Sequence, residues 1–221
     1  MSAYKQKFHP WFFLPLLILL ILVIVAEEDR TELADMALVV GAGLEQSRDA
    51  AELWQLTVEL AYKQQNDSPG ESRVISVRGD NWSELQEQLD KALDKDTYWG
   101  SAVALIVTAD ALSSRDIQGI LRSIYLDKGV NGELLLIASD EAPADIFSAS
   151  FGESDYISAG LEQGLRLLAK DNKVQLVSLR DYMEQVVLEE KELALPMIAL
   201  KTVAEEQQEA VISEQSYRAA E

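Results

Sequence analysis

Gly41-Ala42-Gly43 closes a short apolar run and begins like the glycine fingerprint that lets a backbone approach a dinucleotide pyrophosphate. Gln46 stands where the third glycine belongs, and the residues beyond continue toward a strand, so no helix N-terminus would face the phosphates. Glycines that bend a strand at a hairpin account better for the motif. Carboxylates are the other source of chemistry, at Glu27-Glu28-Asp29, Asp94-Lys95-Asp96 and Glu189-Glu190. General acid–base work needs two of them held together in a cleft with displaced ionisation, whereas these fall in caps and loops and read as solvated surface. Calcium-loop spacing is absent. The chain has no cysteine and a single histidine, His9, beside an apolar segment. Disulfides, thiolate and histidine metal sites, cysteine nucleophiles and Ser-His-Asp triads are thereby excluded. No catalytic, cofactor-binding or metal-binding residue is assigned, and no cofactor is expected.

The elements around these residues describe an α/β domain. Met36 to Val40 reads as a buried strand, and Trp54, Leu56, Val58, Leu60 and Tyr62 alternate with Gln55, Thr57, Glu59 and Ala61, placing one face on a core and one in water. With Gln46 to Ala50 between them, the two strands form an N-terminal β-hairpin. Gln64 to Ser72 is a turn-rich loop, and Val74 to Val77 is a third strand. Asn81 caps a helix by accepting the Glu84 amide while Glu84 reaches back, and Trp82, Leu85, Leu89, Ala92 and Leu93 form its apolar stripe.

Ala102 to Val107 and Leu134 to Ala138 are strands of the kind covered on both faces. A helix from Ser114, striped by Ile117, Ile120, Leu121 and Ile124, joins them in a right-handed βαβ unit. Pro143 opens another helix, Ile157 to Ala169 forms a glycine-containing one, and Ser178 caps a helix from Leu179 to about Glu189 with Asp181 in its first turn. Leu195 to Leu200 is extended, and Glu205 to Glu221 is an acidic, polar tail. The expected fold is a mixed sheet with a hairpin, a βαβ unit and helices packed on the sheet, preceded by one transmembrane helix. An enzyme on this frame would use the carboxyl ends of the parallel strands, where Thr108, Asp110, Ser139 and Asp140 would line the rim; helix caps and turns are the competing use of those residues.

The unbroken apolar run Trp11 to Ala26 follows Lys5 and Lys7 and ends at Glu27-Glu28-Asp29. With Phe8 it reaches the ~17–20 residues that span a hydrocarbon core and exceeds the ~7–15 of a cleavable signal peptide. Residues 1–26 therefore read as an uncleaved signal anchor, with the lysine-flanked end cytoplasmic and everything from Glu27 exported. A cleavage site after Ile24-Val25-Ala26 is the alternative. The net charge of −19 without a basic cluster argues against nucleic acid as a partner and against attachment through anionic lipid headgroups.

The stretch Asp29-Arg30-Thr31-Glu32-Leu33 into Met36-Ala37-Leu38-Val39-Val40-Gly41-Ala42-Gly43-Leu44 resembles the start of Ger(x)C-type spore germination proteins, the C subunits of germinant receptors. Their mature form opens with Cys-Trp-Asp-x-x-Glu-Leu before a run like Leu-Ala-Val-Val-x-Gly-x-Gly-Ile-Asp. Tyr98-Trp99-Gly100-Ser101 leading into Ala102 to Val107 is similar to the family's aromatic-plus-histidine segment before a buried strand. Asp116 to Leu121, Leu134 to Ala138, Ala142 to Phe147, Asp181-Tyr182-Met183 and Leu195-Pro196-Met197-Ile198 fall in family order. The resemblance covers most of residues 29–200, leaving 201–221 as the acidic tail, and rests on collinearity.

Glu27 stands where the lipid-modified cysteine would be, which rules out thioether lipidation and leaves anchoring to the apolar helix. Ser101 occupies the family's histidine position. Family members run on through a large C-terminal domain, and the tail around Ala210-Val211-Ile212 is expected to correspond to the first residues of that region, so the chain looks like the family's N-terminal part on a different anchor. The resemblance implies a non-enzymatic, single-pass subunit in the spore inner membrane, its ectodomain on the extracytoplasmic side, assembling with integral-membrane receptor subunits. A generic membrane-tethered sensor or scaffold, and a ligand- or nucleotide-binding α/β enzyme, are the alternatives.

Overall fold

The computed structural model describes residues 36–47, 54–61, 72–152, 154–189, 193–204 and 207–219. The expected anchor, residues 1–26, lies outside the described residues. Among those described, no helix is long and apolar enough to cross a membrane.

An eight-stranded mixed sheet organises residues from Ala37 onward. Its strands are β1 (Ala37–Gln46), β2 (Trp54–Ala61), β3 (Ser72–Gly79), β4 (Thr97–Tyr98), β5 (Ala104–Thr108), β6 (Leu135–Ser139), β7 (Leu193–Ala204) and β8 (Gln207–Ala219). They run in the order β3-β2-β1-β5-β6-β7-β8, with β4 beside the start of β1. β1, β5, β6 and β7 are parallel neighbours, while β2, β3 and β8 are antiparallel to theirs. The hairpin β1–β2 and the parallel pair β5–β6 agree with the sequence reading.

Helices cover both faces because the strands are apolar in both directions. On one face lie α1 (Trp82–Leu93), α3 (Ile117–Leu126) and α6 (Leu179–Tyr182), packed through Leu85, Leu89, Leu121, Ile124 and Leu179 onto Leu105, Val107 and Leu136. On the other lie α4 (Pro143–Ser148) and α5 (Ile157–Lys170), packed through Ile146, Phe147, Leu161 and Leu165 onto Ile106 and Ile137. Burying each such aliphatic side chain contributes ~1.5–3 kcal/mol. A short helix α2 (Ala109–Leu112) follows β5, and a π-helical turn, Met183–Leu188, continues α6.

Five expectations are corrected. The helix placed at Ser114 starts at Ile117 with Asp116 as its N-cap, because α2 already uses the residues after Thr108. The helix expected through Glu189 changes to π geometry after Tyr182. Residues expected as an acidic tail form β8, which pairs antiparallel with β7 from Leu193↔Ala219 to Ala204↔Gln207. The two glycines sit inside a ten-residue strand, not at the hairpin bend. Finally, the face of β2 expected in water is covered, with Thr57 and Glu59 both fully buried. β2 is a central strand under α4 and α5, so its alternation separates two packed layers rather than core from solvent.

A β-bulge explains the glycines. The β1–β2 register passes from Val39↔Leu60 to Gly41↔Glu59, leaving Val40 as the extra residue. The bulge changes the parity of β1, so that Ala42 and Leu44 share the α1 side with Val39 while Gly41 and Gly43 face α4 and α5. A Cβ at Gly41 would collide with the Ser158 side chain, and one at Gly43 with the Pro143 ring. These glycines permit close helix-to-sheet packing, and protein atoms fill the space a phosphate would need. Ser101 donates its hydroxyl proton to the Val39 carbonyl at 2.8 Å, satisfying an acceptor at the bulge.

Candidate functional site

The polar residues that could carry function gather at the carboxyl ends of β1, β5 and β6. β1 leaves toward β2 on one side while β5 leaves toward β6 on the other, and this divergence opens a crevice at the switch point of the strand order. A cleft of about 270 Å³ lies there, walled by Glu45, Gln46 and Ser47 from the end of β1, Thr108 and Asp110 after β5, and Asp140 after β6. A second hollow of about 520 Å³ shares Glu45, Ser47 and Asp140 and extends along the sheet edge to Gln55, Arg78, Glu141 and Asp145.

Of the four rim residues considered from the sequence, the structure brings Thr108, Asp110 and Asp140 to the cleft wall. Thr108 also caps α2, its Oγ1 accepting the Ala111 amide at 3.4 Å. Ser139 is used in a turn: its hydroxyl accepts the Glu141 amide at 3.0 Å and donates to the Glu141 carbonyl at 3.1 Å. Asp110 and Asp140 are exposed. Glu45 accepts from Gln55 Nε2 at 2.8 Å, and Gln55 Oε1 accepts from Arg78 Nε at 3.0 Å, so a relay across three strands ties one carboxylate of the site to its guanidinium. Glu141 anchors the far wall, its Oε1 accepting the Leu200 amide at 3.4 Å.

Two residues of functional interest were not found from the sequence. Ser47 is 6 % exposed, lines both hollows, and its hydroxyl makes no hydrogen bond. Glu59 lies fully buried beneath α5, accepting the Ile157 amide at 2.6 Å and the Ser158 amide at 2.9 Å. Ser47 carried no signal of its own, since it falls in the Gln46 to Ala50 connection between the two expected strands. Glu59 was hidden because period-two alternation marks it as a solvent residue, and only the central position of β2 reverses that.

Asp94, Asp96 and Glu189 do not line the cleft walls, while Glu27-Glu28-Asp29 and Glu190 lie outside the described residues. Asp94 is the left-handed C-cap of α1, at φ 51°. Among the described residues no three His, Cys, Asp or Glu side chains gather closely enough to hold a metal ion. Tyr156, beside α5, has its phenol pushed above the usual range by burial and by the nearby Asp155 and Glu59 carboxylates.

No curated protein and no solved structure matches the chain. Residues 29–200 match the family described as the spore germination protein N-terminal domain. That span takes in the hairpin, the βαβ unit, α4 and α5 over their bulged glycine strand, and most of β7. The family resemblance read from residue order and the folded unit from β1 into β7 therefore coincide, and the chain belongs to the family of spore germination protein N-terminal domains, as the N-terminal region of a Ger(x)C-type protein.

Proposed function

We propose that this chain is a non-enzymatic, membrane-anchored subunit of a spore germinant receptor, acting in nutrient-triggered germination by binding other proteins. The family match over residues 29–200 carries the reading, because it ties the domain to spore germination. The apolar run Trp11 to Ala26 supports the anchor, holding the domain on the extracytoplasmic side of the spore inner membrane by the lysine-flanked orientation. Integral-membrane receptor subunits are the partners, met through the domain surface and the apolar helix. Support for a non-catalytic role comes from how buried polar groups are used: Glu59 holds a helix N-terminus, and the Thr57 and Ser76 hydroxyls bond each other at 2.8 Å across β2 and β3.

Deleting the gene in its spore-forming host and scoring loss of refractility tests the reading. Spores should lose or slow their response to at least one nutrient, and the protein should fractionate with the inner membrane. An unchanged response to every nutrient, in a strain without a paralogue, would overturn the assignment.

A further inference from the structure

The turn that feeds β6 holds the Asn-Gly step of this chain, Asn131-Gly132; the other asparagines, Asn66, Asn81 and Asn172, precede Asp67, Trp82 and Lys173. Asn131 is exposed. The Leu134 amide donates to the Asn131 carbonyl at 3.1 Å, which closes residues 131–134 into a β-turn, and Asn131 Oδ1 accepts the Glu133 amide at 3.0 Å. This second bond folds the carboxamide back over the intervening Gly132 peptide and polarises its carbonyl, so that Cγ is electrophilic beside the Gly132 nitrogen. Among the described residues the Gly132 amide donates to nothing. A nucleophile with no hydrogen bond to give up therefore lies next to an activated carbonyl, and residue 132 has no Cβ to obstruct the approach or to restrict the backbone rotation that closes it.

We propose that Asn131 is a site of spontaneous covalent modification, in which the Gly132 amide nitrogen, deprotonated by hydroxide, attacks Asn131 Cγ. The new N–Cγ bond closes a succinimide ring, and the Cγ–Nδ2 bond breaks as Nδ2 takes a proton from water and leaves as ammonia. Water then adds to either ring carbonyl. Breaking the N–Cγ bond gives aspartate at position 131, whereas breaking the main-chain bond gives isoaspartate, in which the backbone runs through Cβ and Cγ. The reaction needs only water and hydroxide, and it is independent of the receptor-subunit reading, which concerns protein partners.

The same turn is a clasp for α6. The Gly132 carbonyl accepts the Arg180 amide at 3.0 Å, the Leu134 carbonyl accepts the Leu179 amide at 2.8 Å, and the Arg180 guanidinium meets Glu133 at 2.5 Å. Both products place a carboxylate beside Glu133, but only isoaspartate lengthens the main chain, by one methylene. That extra length displaces the Gly132 carbonyl from the Arg180 amide and loosens the start of α6 from β6.

Peptide mass mapping of the full-length chain, kept folded in nonionic detergent at mildly alkaline pH and sampled over time, tests this. The peptide holding Asn131 should gain the mass difference between an amide and an acid, separate into aspartyl and isoaspartyl forms, and do so faster as pH rises. The peptides holding Asn81 and Asn172 should stay unchanged. Gly132→Ala, whose methyl group needs the Tyr125 ring edge to yield from 3.3 Å, should slow the reaction several-fold, and Asn131→Gln, which would have to close a larger ring, should stop it. In the aged protein the Arg180 amide should exchange with deuterium several-fold faster than in fresh protein, while Asn131→Asp, which adds the charge without the length, should exchange as the parent does. Conversion in urea but not in the folded chain, equal conversion at Asn81 or Asn172, or an unchanged rate in Gly132→Ala would overturn the site; unchanged Arg180 exchange in the isoaspartyl form would overturn its effect on α6.

Discussion

Glu59 on β2 and Ser158 in the first turn of α5, 99 residues apart in the chain, are joined by a 2.9 Å hydrogen bond from the Ser158 amide to Glu59 Oε2. The Ile157 amide reaches the other carboxylate oxygen at 2.6 Å. A fully buried carboxylate normally demands a cation; here two of the orphan N–H groups at a helix start, with the helix dipole behind them, take that place. Gly41 is the register partner of Glu59, and its missing side chain admits Ser158. Bulge, glycine, glutamate and helix start therefore form one device that docks α5 onto the hairpin.

Glu59→Gln tests that device. The amide keeps the shape but offers one acceptor oxygen and turns an N–H₂ toward an N–H donor, leaving a buried amide unbonded. The expected loss is about 3 kcal/mol in urea unfolding, with an unchanged m-value. A loss below ~0.5 kcal/mol, the range of ordinary surface changes, would show that Glu59 is not buried as described.

Gly41→Ala forces a methyl group into the Ser158 side chain, so either α5 lifts or β1 bends. Overpacking of this kind costs ~1–3 kcal/mol. Ser158→Gly in the same chain removes the colliding atoms and should recover most of the loss, giving a coupling energy of about 1 kcal/mol in a double-mutant cycle. Ser158→Ala alone should be neutral or stabilising, since the Ser158 hydroxyl is buried without a partner. Simple additivity of the two substitutions would sink the close-approach account.

How much of this was legible depends on how local the signal is. The Asn81 cap, Pro143 at the first turn of α4, the Ser178 cap with Asp181 in the first turn and the apolar strands β5 and β6 rest on neighbours within a few residues, and the structure contains all of them, adding that Asp181 bonds back to Ser178 in a capping box. Glu84 bonds the Asp80 amide at 2.9 Å, one residue before the cap it was expected to reach. Glu59, Gly41 and Ser47 take their meaning from partners or hollows built by distant segments, and β8 from pairing with β7, so local periodicity misassigned or missed them. The cleft lay between: its strand-end rule identified Thr108, Asp110 and Asp140, but not the contribution of β1.

The cap at α1 offers a local comparison. Asn81 Oδ1 accepts the Glu84 amide at 3.1 Å at an extended N-cap. Asn81→Ala should cost about 1 kcal/mol, while Asn81→Asp or Asn81→Ser should fall within a few tenths of the parent. Thermal unfolding followed by circular dichroism checks this, and equal stability of Asn81→Ala and the parent would remove the cap from the account.

Asp127 links α1 to the end of α3 and makes stability depend on pH. Its Oδ2 accepts from the Trp82 indole at 2.8 Å and from Gln86 Nε2 at 2.9 Å, and its Oδ1 accepts the Gly129 amide at 2.8 Å. Partial burial pushes its ionisation up, but the bonds from Trp82, Gly129 and Gln86 together outweigh this and hold it below its ordinary value of 3.8. A carboxyl depressed in the folded state binds its proton more readily when unfolded. It therefore contributes stability that is complete above the unfolded value, shrinks as pH falls through the folded one, and vanishes below both. Asp127→Asn removes that titration while retaining one acceptor oxygen. Because Asp127 is only half-buried, solvent screening limits the expected difference at neutral pH to about 1 kcal/mol or less. Urea unfolding from about pH 7 to about pH 2.5 should show parent and variant separated above pH ~4 and converging at the acid end. A constant separation across that range would mean that the carboxylate's charge contributes nothing to joining α1 and α3, leaving the Trp82–Trp99 contact, with ring centroids 4.9 Å apart, to position the start of α1 without it.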